Sequence, residues 1–296
     1  MPPDSPVFHD WLCEKTTIPD YSRCTHPSLP DDLSSHQHPA AQFHSLSTNP
    51  ADTFHFLYQS EFLTYARELY REYEQLLQRY GEGGSYKKKF AVSTQHYSFA
   101  VKAFVDVAKK LDMSKYELAI RETKTMEVIQ EVSTMKSEIG VLYLNEFNRK
   151  SMEKLFKSAN LEFHPLISCK AYVYLWKGHP LADEPFLTME QLEKYPCLSF
   201  EQGDKNSFYF AEEVFSTLQY KQMIKADDRA TMLNLMVGMN GYTLCSGIIC
   251  EELNGDGYSA IPLETDEKMT IGYIKRKGMH ISHIGKSYIE ILRGYA

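Results

Sequence analysis

Two periodicities divide this chain. Between Phe62 and Tyr80 apolar residues return every three or four positions: Phe62, Leu63, Ala66, Leu69, Tyr70, Tyr73, Leu76, Leu77 and Tyr80, with charged residues between them. That spacing predicts one amphipathic helix whose apolar stripe has no sequence neighbour to cover it. Gly81, Gly83 and Gly84 then end the helix and supply a hinge. From Lys87 onward, short apolar runs alternate with segments of helical period. Strands are expected at 90–93, 116–121, 139–144, 161–167 and 172–176, and later at 197–200, 222–225, 242–245, 258–262 and 270–275. Helices are expected at 97–111, 125–135, 152–158, 208–218, 229–237 and 282–292, the first with Val101, Phe104, Val105, Ala108 and Leu111 facing inward. Short strands separated by helices predict βαβ crossovers and a mostly parallel sheet, split into two lobes by the joins near Pro165 and Glu264.

Residues 1–57 follow neither pattern. Closely spaced prolines interrupt every window long enough for a helix, and the segment is rich in His and Ser, so it is expected to be irregular or disordered. Its strongly basic residues are Lys15 and Arg23, against Asp4, Asp10, Glu14, Asp20, Asp31, Asp32 and Asp52. Nucleic-acid binding needs clustered lysine and arginine, because counterion release supplies much of the affinity. This segment has the wrong sign, and the whole chain of 296 residues carries a formal charge of −7.

The remaining composition narrows the setting. With 43% hydrophobic and 24% charged residues the chain has the balance of a globular protein. No apolar run has the length of a membrane span, and the N-terminus M-P-P-D-S-P lacks the basic head and apolar core of a secretory signal. Cys13, Cys24, Cys169, Cys197, Cys245 and Cys250 form no C-x-x-C pair, which fits a reduced, cytoplasmic setting. His26, His36 and His38 crowd near Cys13 and Cys24 without any zinc spacing, so neither metal nor cofactor is expected.

Several longer motifs stand out. W-K-G-H-P-L-A at 176–182 runs on to L-T-M-E-Q-L-E-K-Y-P-C-L-S-F at 187–200. M-L-N-L-M-V-G-M-N-G-Y-T-L at 232–244, I-P-L at 261–263 and I-G-Y-I-K-R-K-G at 271–278 follow. Together these resemble the effector-binding domain of LysR-type transcriptional regulators, over residues 61–296. Cys245-Ser246-Gly247 departs from the resemblance, standing where the family usually has leucine and proline. The resemblance implies a mixed α/β fold: a two-lobed type II periplasmic-binding-protein-like domain, preceded by a long linker helix and, here, an irregular N-terminal segment. The expected organisation is 1–57 irregular, 58–84 linker helix and hinge, and 85–296 effector-binding, with lobe I at 85–165 and 267–296 and lobe II at 166–266. It further implies a small-molecule effector, homo-oligomers through the linker helix (Phe62, Leu63, Ala66, Leu69, Tyr73, Leu76 and Leu77), and DNA as a partner.

That last implication conflicts with residues 1–57, where the family carries a winged helix-turn-helix. One testable reading concerns Thr53–Ser60. It can be encoded so that a one-base shift yields R-F-I-S-F-T-K-A, which resembles what precedes this helix in the family.

In two-lobed α/β domains ligands sit between the lobes at the C-terminal ends of strands, where helix N-termini favour small anions. Three strand-to-helix turns carry suitable residues: Ser93, Thr94, Gln95 and His96; Thr125 after the second strand; and Ser199, Glu201 and Gln202 in the second lobe. The resemblance adds Tyr143. Ser93, Thr94 and Thr125 could instead be ordinary N-caps, and a lone turn histidine is commonly an exposed filler. The expected effector is an anionic or polar metabolite. No nucleophile–base pair, metal cluster or phosphate loop is legible, so no enzyme activity is expected; a stand-alone solute-binding protein is the alternative with the same fold.

Overall fold

A computed structural model of the protein describes residues 65, 66, 69, 70, 73, 87–203 and 207–295. The expected irregular segment, the glycine hinge and the stripe positions Phe62, Leu63, Leu76 and Leu77 lie outside the described residues. Tyr65, Ala66, Leu69, Tyr70 and Tyr73 are helical, and Leu69 is 68% exposed.

The first lobe is built on a five-stranded sheet of β1 (Lys88–Thr94), β2 (Tyr116–Glu122), β3 (Ile139–Leu144), β4 (Leu161–Lys170) and β10 (Lys268–Arg276), ordered β2-β1-β3-β10-β4. Every residue of β3 is buried, as a strand covered on both faces requires. Helices α1 (Ser98–Ala108) and α7 (His283–Arg293) pack together, with the Tyr288 hydroxyl donating to Ala100 O at 3.1 Å. Val128, Ile129 and Val132 of α2 (Thr125–Ser133) and Met152 and Phe156 of α3 (Glu146–Ser158) form a second cluster with Leu142 and Leu144. Gly140 makes that layer possible. A Cβ there would lie 2.7 Å from Ile274 and 2.9 Å from both Val128 and Val132.

The second lobe holds β5 (Tyr172–Trp176), β8 (Thr243–Cys245) and β9 (Tyr258–Pro262) in one sheet and β6 (Cys197–Phe200) with β7 (Met223–Ala226) in another. A bridge between Cys197 and Tyr242 joins the two. Short α4 (Met189–Leu192) begins with a reciprocal cap between Thr188 and Gln191. It is followed by α5 (Arg229–Met239) and α6 (Glu251–Asn254). The chain passes into this lobe after β4 and returns through β10, so the two-lobed arrangement stands. Among the described residues no helix is long and apolar enough to cross a membrane.

Three expectations are corrected. The sheets are mixed rather than mostly parallel: β10 runs antiparallel to β3 and β4, and β5 antiparallel to β8 and β9. In the first sheet the return crossing accounts for this, since a strand added from the far end of the chain needs no helical crossover. β4 also stays in the first sheet to Lys170, past the join expected near Pro165. On α1 the inward face is Phe99, Ala100, Ala103, Phe104 and Val107, so Val101, Val105 and Ala108 sit one step off it, while Leu111 lies beyond the helix and packs half-buried against the core.

The expected helix at 208–218 is a fourth correction. A 3-10 turn at Phe208–Phe210 gives way to irregular backbone, with Phe215 at φ 59°. Glu212, Glu213 and Val214 are all buried. Three successive residues cannot all point inward from one helix.

Candidate functional site

The crevice between the lobes narrows to a cavity with about 700 Å³ of space free of protein atoms, its open mouth included. Lobe I contributes His96, Tyr97, Ser98 and Phe99. Lobe II supplies an apolar wall from Phe200, Met232, Leu233, Met236 and Leu244, with Glu212, Glu213, Arg229, Tyr174 and Thr243 as its polar positions. Ligand sites are commonly lined in this way, mostly apolar with a few convergent polar groups.

The wall facing lobe I is closed by the segment after β6. Glu212 Oε2 accepts from the His96 backbone N–H at 2.8 Å, and both of its oxygens lie 3.0 Å from His96 Nδ1. The His96 side chain is 5% exposed and its ring stacks on Phe200 at 3.9 Å, so it is no exposed filler. Gln202 Nε2 donates to Glu212 Oε1 at 3.0 Å, while Gln202 Oε1 accepts from the Thr125 N–H at 3.1 Å. Glu213 accepts from Phe200 N–H at 2.9 Å and from the Ser199 hydroxyl at 3.0 Å. Burial first, and the charge of Glu212 second, push the Glu213 carboxyl up to about 7 against those two bonds.

Behind this segment Gln95 acts as a hub within lobe I. Its amide donates to Thr125 Oγ1 at 2.6 Å, and its carbonyl accepts from Tyr143 N–H at 3.0 Å and the Tyr97 hydroxyl at 3.1 Å. Thr125 Oγ1 donates to Phe210 O at 2.7 Å and the Tyr143 hydroxyl to Glu213 O at 2.9 Å, so the hub reaches lobe II twice. Burial above all, then the charges of Glu213 and Glu212, hold the Tyr143 phenol well above its ordinary value. Arg229, at the start of α5, is ion-paired with Glu122 at the end of β2, and Lys124 with Asp227 at 3.3 Å.

The structure therefore brings Gln95, His96, Thr125, Tyr143, Ser199 and Gln202 together around the Glu212–Glu213 pair. Of these, His96 alone lines the cavity itself. Ser93 turns away, bonding Glu131 and Ser137. Glu201 accepts from Gly203 N–H and lies 3.7 Å from Lys225. Thr94 is buried, and its hydroxyl has no hydrogen-bond partner among the described residues. None of Ser93, Thr94 and Thr125 is an N-cap: the caps of α1 and α2 are Tyr97 and Lys124. The sequence reading missed Glu212, Glu213, Arg229, Tyr174 and Thr243. A-E-E-V at 211–214, two acids wedged against apolar neighbours, was the one available signal.

Comparison with known proteins agrees with this architecture. Residues 112–296 match the LysR substrate binding domain, which is more than half of the chain. The chain belongs to the family of LysR-type transcriptional regulators and carries their effector-binding domain. Among solved structures, it is similar to a full-length OxyR variant from Pseudomonas aeruginosa at 14% identity and a TM-score of 0.53, covering 80% of this chain and 74% of that one. It is also similar to the reduced OxyR regulatory domain of the same organism, at 12% identity and a TM-score of 0.51, covering 71% and 99%. The BenM effector-binding domain with its effector benzoate aligns at 15% identity and a TM-score of 0.49, covering 71% and 92%. No curated protein matches the chain in sequence.

Proposed function

We propose that this chain is a ligand-responsive regulator whose interlobe cavity takes a small metabolite, and whose helix around Leu69 pairs copies of the chain. The cavity carries the reading: its wall comes from both lobes, so a molecule inside it touches both and favours one angle between them. Differential affinity for two interlobe angles is what couples a ligand to the packing of subunits. We propose that the chain senses rather than catalyses, and that its setting is cytoplasmic. Of the two effector kinds expected, anionic or polar, the buried carboxylates favour a polar one. A thermal-shift screen of metabolites against the full chain tests the reading. A hit that raises the melting temperature and is lost on Met236→Trp, which fills the cavity, is expected; no hit of any charge would sink it.

The pairing of chains has its own check. The exposed apolar residues Tyr65, Leu69, Tyr70 and Tyr73 lie on helical backbone. Leu69→Glu is expected to shift the protein toward monomer in analytical ultracentrifugation, because a like-charge pair in an apolar seam is unfavourable. A solute-binding protein acting alone would be monomeric before and after the change. For DNA we expect no mobility shift at physiological salt, as the acidic residues 1–57 lack clustered basic groups.

A further inference from the structure

Resting on the reading of the cavity as an effector site, we infer that its ligand carries a protonated amine on an apolar body, and that Glu213, beside Glu212, receives the amine. Glu212 and Glu213 are 5% and 6% exposed, adjacent in the chain, and both line the cavity. Their hydrogen-bond partners are the Phe200 and His96 N–H groups, the Ser199 hydroxyl, the Gln202 amide and the His96 ring. Glu212 faces the His96 ring at 3.0 Å, an ion pair when that ring is protonated, whereas the hydrogen-bond partners of Glu213 among the described residues are neutral. Arg229 is the one arginine or lysine among the described residues lining the cavity, and it is already ion-paired with Glu122. A buried charge without a counter-ion is unfavourable, and an entering ammonium would supply one to Glu213. Burial and the charge of Glu212 lift the Glu213 carboxyl toward neutrality, consistent with that want.

The positions that would otherwise welcome an anion are taken by the chain itself. Gln202 Oε1 sits on the Thr125 N–H at the start of α2, and Glu212 on the His96 N–H before α1. A carboxylate effector would have to displace one of them and then face the other acid. An independent feature of the same cavity also asks for a ligand. Thr243 is 6% exposed and lines the cavity, and its hydroxyl has no hydrogen-bond partner among the described residues. A buried hydroxyl left so is ordinarily completed by something bound beside it. Met232 and Met236, flexible and polarisable, suit an apolar body such as an aromatic ring.

Three probes sharing one body separate the possibilities: 2-phenylethylamine, phenylacetate and 2-phenylethanol, each titrated calorimetrically into the full chain at pH 8. The amine is expected to bind about tenfold or more tighter than the acid. Glu213→Gln, which keeps an acceptor for Phe200 N–H, should erase the amine's advantage while leaving the alcohol's affinity in place; Glu212→Gln serves as the second variant. Phenylacetate binding as tightly as the amine would overturn the inference and leave the sensor reading standing. So would an amine preference that survives both variants. If none of the three binds, the inference fails, and the metabolite screen decides separately whether the cavity senses anything.

Discussion

Replacing Glu213 by glutamine is expected to stabilise the protein at pH 8.5 by up to about 3 kcal/mol, and by less than about 1 kcal/mol at pH 5. The carboxyl titrates at about 7 in the folded chain, above its ordinary 4.5, because it is buried next to Glu212. A group that holds its proton more tightly when folded favours folding while it is protonated. Its contribution is fully present below about 4.5, the unfolded value, and is lost as pH rises through about 7. Glutamine keeps the acceptor for the Phe200 N–H and offers its amide to the Ser199 hydroxyl, so the local bonds survive while the charge does not. Urea unfolding of both proteins at the two pH values measures the difference directly. A gap between variant and parent that does not change with pH would show that Glu213 is not titrating in that window. The result also bears on function: a site that sacrifices stability to hold a carboxylate out of water is one shaped for something other than folding.

How far the sequence went depends on where each residue finds its partners. The H-P-L-A motif was legible because it is a local structural lock. His179 is buried, its Nδ1 accepts from Leu181 N–H at 3.1 Å, and Nε2 lies 3.0 Å from Asn240 O at the end of α5. Asn240, in the left-handed conformation, stops the helix and also accepts from the Trp176 indole at 2.9 Å. Gly241 follows because a Cβ there would lie 2.8 Å from Leu198. Motif, helix end and strand start are thus one packed unit, and the family resemblance rests on it. Strand positions were legible for the same reason, since apolar runs such as Ile139–Leu144 declare themselves.

The site was less legible because its partners are remote. Glu212 pairs with His96, 116 residues away, and Gln202 reaches Thr125, 77 residues away. Read alone, two successive glutamates look like the solvated face of a helix. Their burial depends on backbone that leaves the helical path, and no period announces that. Among the turn residues, Gln95 bonds Thr125, Thr125 bonds Gln202, and Gln202 bonds Glu212. The anion sites expected at helix N-termini are real donors already in use.

Gln95→Leu carries the second large effect, an expected loss of about 3–5 kcal/mol of stability with loosening of the segment that lines the cavity. Gln95 is 1% exposed and makes three hydrogen bonds. Leucine leaves Tyr143 N–H without its side-chain acceptor in the core, and orphans the buried Tyr97 hydroxyl, each costing about 1–3 kcal/mol. Tyr97→Phe distinguishes this from simple repacking. In the parent it should cost about 1 kcal/mol, and in the Gln95→Leu background nothing further, because the hydroxyl it removes has already lost its partner. Gln95 also orients Thr125, whose hydroxyl holds Phe210 of the other lobe, while the adjacent Thr125 N–H holds Gln202. Amide exchange across 207–218 should therefore rise in Gln95→Leu more than exchange in β3, and Thr125→Val should reproduce the rise at a smaller loss of stability. If exchange rises equally everywhere, Gln95 is merely a core residue. If it rises in the segment first, the turn after β1 is the latch by which lobe I holds the acids of lobe II against the cavity.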